Sequence, residues 1–278
     1  MAIFDGWFSV RSTTEREFKA PVAWLFGREL IAGAKRIALY TFHGDQLDAR
    51  DWMERPTKEA TERHAAPSSG DDFWFDFMAD TGDGQKAVYN LAYLCLSELW
   101  IHNPAVPGAG VVSLEHLDNG FKLPRGEFLF VGGDTAYHIA DYETLVERFQ
   151  TPFDWAYGDR TRDADVPRRP IYAIPANHDY YDALDGFNRQ FRKPFNTDRA
   201  YDPRRRGPQP QLSLKGFERV QEAAYVALKL PHGWWLWGLG LDASEESIDE
   251  RQAAFFRELC NPGITDLADE PPSIQSPD

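Results

Sequence analysis

The sequence predicts an α/β fold in which strands alternate with helices. Three observations carry the prediction. The runs Phe73–Ala79, Glu127–Val131 and Ile171–Ile174 are apolar or aromatic and too short for helices, so they read as buried strands. Each run ends abruptly in small and polar residues. Helix-like sequence follows each of the three, and alternation of this kind places the strand ends along one edge of a sheet.

Composition is compatible with this class. The chain has 278 residues, 42% hydrophobic and 14% aromatic, enough apolar material for one large domain or two small ones. A net charge of −14 argues against general nucleic-acid binding, which needs surplus Lys and Arg, and suits a site that collects cations. Cys95 and Cys260 cannot make a disulfide framework. Met1–Val10 lacks the basic start and long apolar core of a signal peptide, and no apolar run is long enough to span a bilayer, so a cytoplasmic location is expected.

In chain order, Ser12 or Thr13 is a candidate helix cap, with Glu15 and Glu17 in the first turn; Pro21 is an alternative start, and Gly33 the expected end. Arg36–Phe42 is a candidate strand, and Gln46–Gly70 a charged loop. Residues 1–70 thus form an N-terminal extension, followed by the main domain at 71–260 and an irregular tail at 261–278. Gln85–Ile101 carries Val88, Leu91, Ala92, Cys95 and Leu99 at helical spacing. Asn103–Gly110 is a turn region. Tyr142–Phe149 reads as helix and Thr151–Pro170 as charged and irregular. Asn188–Gly216 reads as a long basic loop, either a solvated excursion or a phosphate-binding arm presenting Arg192 and Lys193. Ala223–Leu230 and Trp234–Leu241 flank Pro231-His232-Gly233 as a hairpin, with Trp234, Trp235 and Trp237 expected to pack in the core. Ile248–Leu259 is an amphipathic helix.

The strand ends supply the chemistry. Asp80 with Asp83, then Asp134 after two glycines, then Asn177-His178-Asp179 offer hard oxygen donors and one imidazole. Such donors converging on one sheet edge suit one or two divalent cations, with His178 left as a proton donor or phosphate contact. A two-metal centre wants a bridging carboxylate, and Asp134 is the natural candidate. Each Asp is also a plausible helix cap or turn former. His43, which precedes Gly44-Asp45, reads as loop; His116 and His138 stay undecided.

Taken in order, Asp80-Thr81-Gly82, Gly133-Asp134 and Ala176-Asn177-His178-Asp179 resemble the motifs of the calcineurin-like metallophosphoesterase superfamily, D-x-H, G-D-x-x-D and G-N-H-[DE]. Leu241-Asp242-Ala243 with the helix that follows is similar to that family's L-D-S strand end. The resemblance implies a calcineurin-like αββα sandwich with mixed sheets. It also implies two divalent metal ions (Mn, Fe, Mg or Zn) and a metal-activated water that hydrolyses a phosphate ester. It assigns Asp80, Asp134 and Asn177 as ligands; Gly82 stands at the family's metal-binding histidine, and Asp83, one residue further on, is a candidate substitute. His178 becomes the acid toward the leaving oxygen, with Asp179 fixing its tautomer. Tyr137 stands where the second motif ends in Asp, and no histidine follows His232, so the family's last two histidine motifs are absent and the C-terminal part is expected to be incomplete. Two rivals follow. A phosphoesterase-like domain without catalysis would serve as a binding or scaffold module. An aspartic protease would use Asp80-Thr81-Gly82, but that fold is all-β.

Overall fold

The computed structural model describes residues 16–23, 30–31, 33–35, 38, 72–102, 120–162, 165–193, 212–241, 248 and 250–260. His43, His116, the loop Gln46–Gly70, the turn Asn103–Gly110, the tail from Asn261 and most of the basic loop Asn188–Gly216 lie outside these residues, as does Asp242-Ala243-Ser244.

The elements are β1 (Asp76–Met78), α1 (Gln85–Cys95), β2 (Leu99–His102), β3 (Gly120–Leu123) and β4 (Leu129–Val131), then α2 (Tyr142–Leu145), α3 (Thr151–Arg160), β5 (Arg169–Ala173), α4 (Asn177–Tyr180) and α5 (Asp185–Phe191). They continue with β6 (Phe217–Arg219), β7 (Val226–Lys229), β8 (Trp235–Gly238) and α6 (Glu250–Cys260). A four-stranded parallel sheet runs in the order β1-β4-β5-β6. β2 with β3, and β7 with β8, form two antiparallel pairs.

Side-chain alternation along β4 and β5 sorts the core into two faces, as the two-residue period of a strand requires. Leu129, Val131, Ile171 and Ala173 point to a face covered by α1, α3 and α5 through Val88, Phe153, Phe187 and Phe191. Phe128, Phe130 and Tyr172 point to the opposite face, where Val226 and Leu228 of β7 cover them. The far side of the hairpin, at Tyr225 and Ala227, packs on Phe255 and Phe256 of α6. The layers are therefore helices, parallel sheet, hairpin and helix. A parallel sheet clothed in helices excludes the all-β aspartic-protease arrangement. Among the described residues, no helix is long and apolar enough to cross a membrane.

Several expected elements are corrected. Residues 16–23 are non-helical, whereas Gly33 and Ala38 are helical, so the first helix does not end at Gly33 and Ala38 is not in a strand. The helix from Gln85 stops at Cys95: the Ser97 hydroxyl bonds the Tyr93 carbonyl, and Leu99–His102 pairs with β3 instead. Tertiary pairing overrides the helical spacing of Leu99. Thr151–Arg160 is helix, entered from α2 through a π-helical stretch at Val146–Gln150. Its charge and Gly158 mask a buried stripe of Phe153 and Ala156. The start of the long basic loop is α5. The three tryptophans of the hairpin are not core: Trp234 is 72% exposed and Trp235 and Trp237 are each 41% exposed, with Trp237 meeting Phe256. Leu236 and Gly238 take the inward positions, and Gly238 lies so close to Phe130 and Ile174 that a Cβ there would fall within 2.7 and 2.9 Å of them.

Candidate active site

The site is built where β1, β4 and β5 end side by side. The ladder extends past the strands through Gly132 N–H to Met78 O (2.8 Å), Ile174 N–H to Val131 O (3.0 Å) and Asp80 N–H to Gly133 O (3.2 Å). The three following loops touch. A Cβ on Gly82 would sit 2.6 Å from Ala136 Cα, and one on Gly133 would sit 2.6 Å from Ala176 Cβ. Gly133 also has φ +92°, which a side chain disfavours. Gly82 therefore stands where the resemblance expects a histidine because the second loop crosses there. Gly133 admits the backbone of the third loop.

Asp179 locks this crossing. It is fully buried, and its carboxylate accepts from Asp134 N–H (2.8 Å), Ala176 N–H (2.9 Å) and the Thr135 hydroxyl (2.8 Å). Burial raises its pKa to about 6, against the pull of these donors. None of these bonds goes to the His178 ring. The orienting partner of that ring is the His138 carbonyl, 2.6 Å from Nδ1, which replaces Asp179 in the role expected for it. A carbonyl only accepts, so the proton sits on Nδ1 and Nε2 carries the lone pair in neutral imidazole. Tyr137 and Tyr181 flank the ring edge-on at centroid distances of 4.6 and 5.1 Å.

Asp80 and Asp134 are both left-handed, at φ 53° and 49°, a costly conformation for residues with a side chain. Between them stands Tyr137. Its hydroxyl lies 3.3 Å from Asp80 Oδ1 and 3.2 Å from Asp134 Oδ2. The other oxygen of Asp134 accepts the His178 N–H at 3.2 Å. Burial, then the charges of Asp134 and Asp80, push the phenol pKa up and hold it protonated. Sequence reasoning read Tyr137 only as a departure from the second motif. Its position three residues after Asp134 was the signal for its place in the site.

One phenol proton cannot satisfy two carboxylates, so three oxygen donors meet where a hard cation would satisfy all of them. Asp80, Asp134 and Tyr137 present hard oxygen atoms, the donor type that suits a hard cation. Asn177 begins α4 and its Nδ2 donates to the Tyr181 hydroxyl (3.1 Å). Among the described residues, no group of three or more His, Cys, Asp or Glu could hold a metal ion.

The other expected residues fall elsewhere. Asp83 is exposed in the turn before α1, and its carbonyl accepts Val22 N–H at 2.8 Å. Arg192 is buried, its guanidinium bonded to Glu222 O (2.7 Å) and Asn188 Oδ1 (3.1 Å). Lys193 is exposed and its N–H bonds Gln221 O at 2.7 Å. His138 is buried beside Gly33. Comparison with protein-family models, with curated proteins and with solved structures gives no match.

Proposed function

We propose that this chain is a metal-dependent phosphoesterase domain of the calcineurin-like αββα type, acting on a phosphate-ester substrate. The observation that carries the reading is the Tyr137 hydroxyl, within 3.3 Å of carboxylates from two different strand ends. The layer order of helices, sheet, hairpin and helix supports the same fold.

Asp80, Asp134 and Tyr137 would hold one hard cation, and the Asn177 amide oxygen would serve a second. When bound, the metal supplies Lewis-acid polarisation of the phosphoryl group and a water of lowered pKa. The protein's own groups do the rest. Asp179 and the two glycines hold the three loops in contact. His178, fixed by the His138 carbonyl and two tyrosine rings, presents Nε2 to the phosphoryl or leaving oxygen. As an imidazolium it donates the proton that the departing alkoxide needs.

Titration of the chain with Mn²⁺ and Fe³⁺, with hydrolysis of an aryl phosphate monoester and diester, tests this. The wild type is expected to bind metal and to turn over. Asp134→Asn is expected to bind at least about tenfold more weakly. Failure of the wild type to bind either ion sinks the proposal. Binding without turnover instead selects the scaffold reading, which the lack of a three-membered His, Cys, Asp or Glu group among the described residues favours.

A further inference from the structure

The N-terminal segment 16–23 has no regular structure, yet it is tied down at both ends. At its start the Arg16 guanidinium makes a two-pronged bond to the Asp159 carboxylate, with Nη2 2.8 Å from Oδ1. The Tyr89 hydroxyl donates to the same carboxylate at 2.7 Å. Arg16 lies over the rings of Tyr89 and Trp155 at 5.4 and 5.7 Å, and Phe18 packs on both rings. This anchor clasps α1 to α3. Midway, Lys19 N–H bonds Gln85 Oε1 (2.8 Å), and Gln85 Nε2 bonds Glu147 O (2.8 Å). At the far end Val22, itself buried, donates its N–H to the Asp83 carbonyl at 2.8 Å, three residues from Asp80.

We propose that residues 16–23 are a strap that positions the Asp80–Gly84 loop, with Arg16 as its anchor and the Val22–Asp83 bond as its point of action. The proposal rests on the phosphoesterase reading only for the purpose the loop serves. Asp80 is held in a left-handed conformation that its surroundings must enforce. On the sheet side the loop is fixed by Asp80 N–H to Gly133 O and by the Tyr137 hydroxyl. On the outer side the strap closes it, and Pro21 lies against Gly84. Arg148 joins the two, its Nη1 reaching Ala20 O (3.5 Å) and Asp83 O (3.4 Å). A side-chain bond far from the site thereby sets the freedom of the loop that carries Asp80. Arg16 and Val22 are positioning residues.

Hydrogen exchange of the metal-free protein tests the strap, followed by Mn²⁺ titration. In Arg16→Met the amides of Thr81–Gly84 are expected to exchange about tenfold faster, while Val131 and Ala173 in the sheet stay protected. Mn²⁺ affinity falls by about tenfold, and Arg16→Lys restores part of both. Faster exchange confined to residues 16–23 overturns the proposal. Should Arg16→Met not fold, Val22→Pro removes the backbone N–H that the strap donates to the Asp83 carbonyl and carries the same expectation and the same overturning result. A wild type that binds no Mn²⁺ but shows the exchange coupling keeps the strap and removes the phosphoesterase reading.

Discussion

The Tyr137 hydroxyl stands between two carboxylates from different strand ends. Tyr137→Phe removes one of three oxygen donors, so Fe³⁺ affinity should fall by at least about tenfold. A phenolate on ferric iron also absorbs visible light, and that band should vanish in the variant. Ferric titration followed in the visible range reads both, and a band of undiminished strength in Tyr137→Phe removes the residue from the metal. That Asp80 and Asp134 lie side by side was legible, because an alternating α/β pattern sets the ends of successive strands along one sheet edge. Tyr137 was not, because its hydroxyl acts at a distance of three residues across a turn that only the folded loops define. Asp179 was legible as important, but its task of pinning Asp134, Thr135 and Ala176 depends on how the loops cross. That task makes a further prediction. Asn at 179 can still accept both backbone N–H groups and donate to the Thr135 hydroxyl, whereas Ala leaves two buried donors and the half-buried Ala176 N–H without this acceptor, at about 1–3 kcal/mol for each buried one. Chemical denaturation of the metal-free protein should therefore find Asp179→Ala severely destabilised and Asp179→Asn close to wild type; equal losses would refute the account.

At the scale of elements, the sheet owes part of its width to side chains that act as backbone. β5 pairs with β6 only from Arg169 to Ile171. Beyond that, the Gln221 amide takes over, accepting Ala173 N–H at 2.6 Å and donating to Ala173 O at 3.0 Å and Ala223 O at 2.6 Å. Gln252 does the same for Gly240, accepting its N–H at 3.0 Å and donating to its carbonyl at 2.7 Å. Both glutamines steady the chain next to Pro175, whose ring lies against Gly240, and so steady the third site loop. Gln221→Leu keeps the volume but leaves the buried N–H and C=O of Ala173 unpaired, at a cost of about 2–4 kcal/mol. Thermal unfolding should show a drop of several degrees for this variant, and an unchanged midpoint would count against the substitute-strand role. The strands β1, β4 and β5 and the hairpin were visible in the sequence because their apolar runs are short and bounded. β2, β3 and β6 were not visible, since each is defined by the partner it finds, and α3 was hidden by its charge.

The whole molecule carries a net charge of −14 and buries several carboxyl groups at a cost. Burial raises the pKa of Asp76 to about 6, against the opposing pull of Gly126 N–H, Arg125 and Arg169. Asp179 is raised to about 6, also by burial. Burial likewise raises Asp182, well above the usual range, and Asp154. Asp159 goes the other way, lowered first by the Arg16 bond. A carboxyl raised in the folded state binds its proton more tightly there than in the unfolded chain, where it titrates near 4. Below that value both states are protonated and the group is neutral to stability. For Asp76 and Asp179, between about 4 and about 6 the unfolded chain ionises first, so the folded state loses stability as pH rises, and above about 6 their loss is complete. Asp159 has the opposite sign, and its stabilisation is lost only under acid, as pH falls through its lowered value. General repulsion among the surplus carboxylates adds to the loss at neutral pH. The metal-free protein should therefore melt highest near pH 4 and decline from there toward pH 7.5. Asp76→Asn, which can still accept from Gly126 N–H, should flatten that decline. Melting curves taken across this range in chelator decide the matter. A midpoint that climbs steadily from pH 5 to 7.5 would show that the buried acids do not govern the stability of this fold.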